Sequence, residues 1–218
     1  MRLKKIITII YFMKNLNSFL LLICVVFLLT GCAMRYHSID PVRQKYKSNG
    51  LENGIELSYK YDILRESGNT KYAKKEYKNG IKLIAVKLTN NTDSTLTIGK
   101  DILFFSGNKE VLSLSPVLIK NTIHQNEPAY LFYLLFTFTT FTVSNGYSAQ
   151  TYPIGYALGP ILTLTNLITA SSANKNLLLE LNRYDIMNKD LHRGETIYGI
   201  IGIREYSYDP ISIRIIKR

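Results

Sequence analysis

The chain has 218 residues, 46% of them hydrophobic and 20% charged, with 27 Lys and Arg against 16 Asp and Glu, a formal charge of +11 and two Cys. That size suits one domain, or one domain with an appendage, and the apolar content is too high for a disordered chain. Two Cys exclude a disulfide scaffold, no Cys or His pair has zinc-ligand spacing, and the bases are scattered rather than gathered into the patch that nucleic acid requires.

The N-terminus reads as an address. Arg2, Lys4, Lys5 and Lys14 precede an unbroken apolar run from Phe19 to Leu29, and no acid occurs before Asp40. A basic start followed by a short apolar run is the pattern of a secretory signal peptide, because a permanent span needs about 20 apolar residues. Met13-Lys14 would by itself open a compact leader. Small residues close the run as Leu29-Thr30-Gly31-Cys32. In that position the tetrapeptide resembles the lipobox of bacterial lipoproteins. The resemblance implies acylation of the Cys32 sulfur, cleavage between Gly31 and Cys32, and membrane lipid as the first partner. Cys24 would leave with the leader, and loss of the four leader bases takes the charge from +11 to +7. Ala33, rather than Asp, follows the Cys, which by the sorting rule of enteric bacteria favours the outer membrane over the inner one.

Residues 32–53 read as the lipidated Cys and a basic tether, with Arg35, Arg43, Lys45 and Lys47 against Asp40 and Glu52. From Gly54 the period changes to two. Ile55, Leu57, Tyr59, Tyr61 and Ile63 alternate with Glu56, Ser58, Lys60 and Asp62, the mark of a half-buried strand. The polar stretch from Arg65 to Gly80 reads as a loop, Ile81–Leu88 as a more buried strand, and Asn90–Asp93 as a turn before a strand over 95–98. Gly107-Asn108 marks a hairpin between 102–105 and 111–114. Apolar runs at 197–203 and 211–215 return to the same pattern. The expectation is a mainly β fold, an immunoglobulin-like β-sandwich built from 54–120 and 190–218, with 121–189 inserted. At the level of fold this resembles the immunoglobulin-like modules of secreted bacterial proteins.

The insert holds the most unusual feature of the chain. No Asp, Glu, Lys or Arg occurs from 128 to 174. Two apolar stretches fill this gap, 129–143 and 153–170, linked by a Ser-Asn-Gly turn and a Tyr-rich segment. Three readings are open. The stretches form a helical hairpin touching a membrane or an integral-membrane partner; they span the membrane; or they are core, with Phe136, Phe138, Phe141 and Val143 as strand residues among threonines. For the hairpin, Phe132, Phe136 and Phe138 are the expected contact residues, and Gly155 and Gly159 form a G-x-x-x-G pair that allows close helix approach. After Asn174, a plausible N-cap, the pattern becomes that of an amphipathic helix.

Chemistry is sparse. His37, His124 and His192 are isolated, and no nucleophile elbow, phosphate loop or zinc-protease motif is present. No catalytic residue, metal or cofactor is therefore expected. The first reading is a non-catalytic, lipid-anchored envelope lipoprotein with an assembly, accessory or binding role through its apolar hairpin. Two others compete: an envelope hydrolase using Glu127, Glu180, Glu195, Asp185, Asp190 or a His, and a small-ligand-binding lipoprotein of a transport system.

Overall fold

The computed structural model describes residues 31–46 and 48–216, in two compact units: 31–33 with 130–166, and 34–129 with 167–216. Leu29, Thr30 and the leader lie outside the described residues. In chain order the strands are β1 (Ser48–Glu52), β2 (Ile55–Lys60), β3 (Ile81–Asn90), β4 (Leu96–Thr97), β5 (Ile102–Ser106), β6 (Lys109–Val111), β7 (Phe141–Ser144), β8 (Ala149–Tyr152), β9 (Asp190–Leu191), β10 (Thr196–Arg204) and β11 (Ile211–Ile215). The α-helices are α1 (Ile63–Glu66), α2 (Thr70–Lys78), α3 (Pro116–Ile123) and α4 (Gly155–Arg183), with 3-10 segments at Pro41–Arg43 and Glu127–Phe138.

The larger unit is built around β3, whose run IKLIAVKL is apolar on both sides because both sides are covered. Ile81, Leu83 and Ala85 face a layer of helices, while Ile84, Val86 and Leu88 face a second sheet. Four antiparallel strands in the order β1-β2-β3-β10 form the central sheet, and β11-β5-β6 form the second. Ile55 and Leu57 of β2, Ile201 and Ile203 of β10, Ile102 and Phe104 of β5, and Ile211 and Ile213 of β11 fill the space between the sheets. Strands from both ends of the chain therefore do form a sheet pair. The fold as a whole is mixed α/β rather than mainly β, since Ile63, Leu64, Tyr72, Ala73, Ile119, Ile123, Ala173, Leu177 and Leu181 bring helices onto the far face of the central sheet.

Three local expectations are corrected. Residues 65–80 are not a loop but mostly helix, α1 and α2. The helical signal there is a narrow buried stripe of Tyr72, Ala73 and Glu76, closed by Gly80 at φ 60°, the left-handed conformation that ends helices. The start of the sheet was also hidden: Asn53 (φ 46°) and Gly54 (φ 85°) form the turn of a β1–β2 hairpin, so the presumed tether supplies an edge strand. Finally, no helix begins at Asn174. Helix α4 runs unbroken through it, because Ala170-Ser171-Ser172-Ala173 contains nothing that stops a helix.

In the smaller unit the first apolar stretch is a 3-10 helix, not an α-helix, and it is unusually long for its kind. Its sequence accounts for this. Tyr130, Tyr133 and Phe136 recur every third residue, the 3-10 repeat, and their rings form a ladder with centroids 6.3 and 6.1 Å apart. The hairpin β7–β8 follows, closed by an Asx turn in which the amides of Tyr147 and Ser148 donate to Asn145 Oδ1 at 3.1 and 2.8 Å. Phe141 and Val143 are thus strand residues, as the core reading had them, but they are exposed rather than buried.

Candidate functional site

Gly31 and Cys32 belong to the smaller unit, and Cys32 is exposed. The Tyr133 hydroxyl shares a hydrogen bond with the Cys32 side chain and lies where a side chain on Gly31 would sit. On the other side of the Cys, the Ala33 amide donates to Asn166 Oδ1 at 2.5 Å. The residues of the proposed processing site are therefore seated on the apolar segment, between its 3-10 arm and helix α4.

The rest of this unit is inverted relative to a water-soluble fold. Over 155–166, helix α4 turns Gly155, Gly159, Thr163 and Asn166 inward, and Thr163 Oγ1 donates to the Gly159 carbonyl at 2.8 Å. Its large apolar side chains point outward: Tyr156 is 70% exposed, Ile161 59% and Leu164 60%. The 3-10 arm does the same, with Phe132 72% and Phe138 82% exposed. Phe136 is half-buried in the aromatic ladder. Gly155 and Gly159 are not on the outer surface. A Cβ on Gly155 would come within 2.6 Å of the Thr137 carbonyl oxygen, and one on Gly159 within 2.6 Å of the Thr137 amide. The G-x-x-x-G pair thus closes the two arms on each other and leaves outside contact to the Phe, Leu and Ile side chains. Not one of residues 31–33 or 130–166 is charged. Among the described residues no helix is long and apolar enough to cross a membrane.

The larger unit holds a feature that sequence patterns did not show. Residues 34–40, directly after the proposed lipid site, are clamped as a bound peptide would be. The Gln125 side-chain amide pairs with both backbone groups of Met34 (2.9 and 2.6 Å), and Asn69 does the same to His37 (2.9 and 2.6 Å). The Glu180 carboxylate accepts from the Tyr36 hydroxyl (2.5 Å), the Ser38 hydroxyl (2.7 Å) and the amides of Ile39 (3.0 Å) and Asp40 (2.9 Å). Burial and the adjacent carboxylate push the Tyr36 hydroxyl well above the usual tyrosine range, so it remains a donor. Gln125, Asn69 and Glu180 are all buried. Of the three only Glu180 lies on a helix, and no pattern in the sequence singles out Asn69 or Gln125.

Acids and histidines do not converge. Glu127 accepts from Asn174 Nδ2 at 2.9 Å, Asp185 from the Met187 amide at 3.0 Å, Asp190 from Thr97 Oγ1 at 2.7 Å, and Glu195 from the His192 amide at 2.8 Å. Each secures a turn, a strand end or a helix. His37, His124 and His192 stand apart, with His124 Nδ1 on the Asn121 carbonyl and His192 Nδ1 on Thr95. Among the described residues no group of three or more His, Cys, Asp or Glu could hold a metal ion. An open groove of about 700 Å³ lies around Asn91, Asp93, Thr95 and Asp101. Its two acids are already engaged, Asp93 with Arg193 at 3.1 Å and Asp101 with the Thr97 amide at 2.8 Å. Compared with family models, curated proteins and solved structures, the chain matches none.

Proposed function

We propose that this chain is a lipid-anchored lipoprotein of the bacterial envelope, processed before Cys32 and acting without catalysis, as an assembly, accessory or binding module that docks through its apolar unit. One observation carries the reading: the exposed Cys32 sits in the same compact unit as a surface of outward Phe, Leu and Ile side chains without a single charge. A lipoprotein Cys carries two or three acyl chains, enough for stable anchorage where one chain holds only marginally. The clamp on residues 34–40 supports the same reading, since it leaves the chain only one residue, Ala33, between the acylated Cys and a fixed backbone. We also infer that the two facing sheets are an immunoglobulin-like sandwich that has acquired a helical layer. Ala33 favours the outer membrane as the destination.

The test is processing in cells. The Cys32→Ala chain accumulates as a precursor in the inner membrane, while the parental chain loses its leader and takes up radioactive palmitate. Normal cleavage of the variant, or an unlabelled parental product, overturns the reading.

A further inference from the structure

Resting on the reading that Cys32 carries lipid, we propose that the outward face of the smaller unit is seated in the hydrocarbon of the leaflet that receives the acyl chains of Cys32, rather than on a protein. Three observations commit the face to lipid. First, Cys32 is hydrogen-bonded to Tyr133 and flanked by the Ala33–Asn166 bond, so acyl chains on its sulfur emerge from the same unit that exposes Phe132, Leu135, Phe138, Ile161 and Leu164. Second, no residue of this unit is charged, so the face carries none of the side chains that are costly to place in hydrocarbon. Third, on helix α4 the small and polar Gly155, Gly159, Thr163 and Asn166 lie inside and large apolar residues outside, the arrangement of a helix whose solvent is lipid. No described helix is both long and apolar enough to cross, and the seat is one leaflet deep, as for interfacial helices. Tyr147, Tyr152 and Tyr156 are exposed and supply the amphipathic rings that settle at head-group level.

The full chain provides its own labelling chemistry: Cys24 leaves with the leader and Cys32 is blocked by lipid, so one introduced Cys is the sole free thiol of the processed protein. Phe138→Cys, Ile161→Cys and the reference Lys100→Cys are produced in cells, labelled with a polarity-sensitive dye and reconstituted into phosphatidylethanolamine–phosphatidylglycerol vesicles. The proposal requires the dyes at 138 and 161 to be quenched by spin-labelled lipid and spared by aqueous iodide, with the reverse at 100. Iodide quenching at 138 and 161 equal to that at 100 overturns it. Protection from both quenchers also overturns it, because a second copy then covers the face. Dye uptake by the parental chain shows a bare Cys32 and refutes the lipid anchor separately.

Discussion

Replacing Glu180 with Ala removes the acceptor that holds residues 36–40. Four donors lose their partner: the amides of Ile39 and Asp40 and the hydroxyls of Tyr36 and Ser38. Ile39 is 2% exposed, so its amide cannot turn to water, and leaving it unpaired costs about 1–3 kcal/mol. The other three are partly exposed and recover some hydration, so each contributes roughly 0.5–1 kcal/mol. The expected loss is about 2.5–6 kcal/mol, a large share of the 5–15 kcal/mol of a typical domain. Glu180→Gln keeps one acceptor oxygen and should lose about half as much. Urea unfolding of the full chain in mild detergent reads the total, and amide exchange at Ile39 and Asp40 reads the local part, which should accelerate at least tenfold for each 1.4 kcal/mol lost there. A Glu180→Ala chain whose midpoint moves by less than about 0.5 kcal/mol and whose 36–40 amides keep their protection would refute the clamp.

Burial pushes the Glu76 carboxyl from 4.5 up to about 7, against the opposing pull of the Leu83 amide hydrogen bond, Lys82 and Arg65 and with a smaller push from Asp62. The fold thus favours the neutral acid. Its contribution is fully present below pH 4.5 and is lost as pH rises through about 7, on the order of 3 kcal/mol across that window. Glu76→Gln should flatten this part of the profile, and urea midpoints at pH 5 and pH 8 that shift alike in variant and parent would contradict it. Gly159→Leu forces the 3-10 arm off helix α4, at an overpacking cost of about 1–3 kcal/mol, and should expose Tyr133 to chemical nitration; unchanged nitration would mean the arms are not closed through this glycine. Asn174 Oδ1 accepts from the Gln125 amide (2.8 Å) and the Tyr72 hydroxyl (3.0 Å), and its Nδ2 donates to the Gln125 carbonyl (2.9 Å) and Glu127 (2.9 Å). Asn174→Leu strands these groups and should cost at least about 3 kcal/mol by thermal unfolding; a neutral result would show that water replaces the network.

Strands were legible where one face is wet or both are apolar: the alternation at 55–60 and 211–215 and the unbroken run at 81–88 each mark a strand of the central or second sheet. Of the helical layer only 175–183 was, where Leu177 and Leu181 stand among Lys175, Glu180 and Arg183; α2 was not, because its contact stripe of Tyr72, Ala73 and Glu76 is too narrow to stand out among Lys and Asn. The clamp was invisible for a different reason. Gln125, Asn69 and Glu180 act on backbone groups distant in sequence, and a backbone donor leaves no trace in residue identity. In the apolar segment the period of three at Tyr130, Tyr133 and Phe136 was present in the sequence, yet a helical reading tests for 3.6. The absence of charge over 128–174 foretold an unusual surface. It did not foretell that the glycines would be spent inside the unit and the aromatics left outside.

The N-terminal peptide of the processed protein bears most directly on the whole account. Trypsin releases residues 32–35 (Cys-Ala-Met-Arg) from envelope-purified material, and its mass reads both the cleavage position and the modification. The account predicts a chain beginning at Cys32 with a diacylglyceryl group on sulfur. A peptide that begins before Cys32, or one that carries a bare thiol, would contradict it.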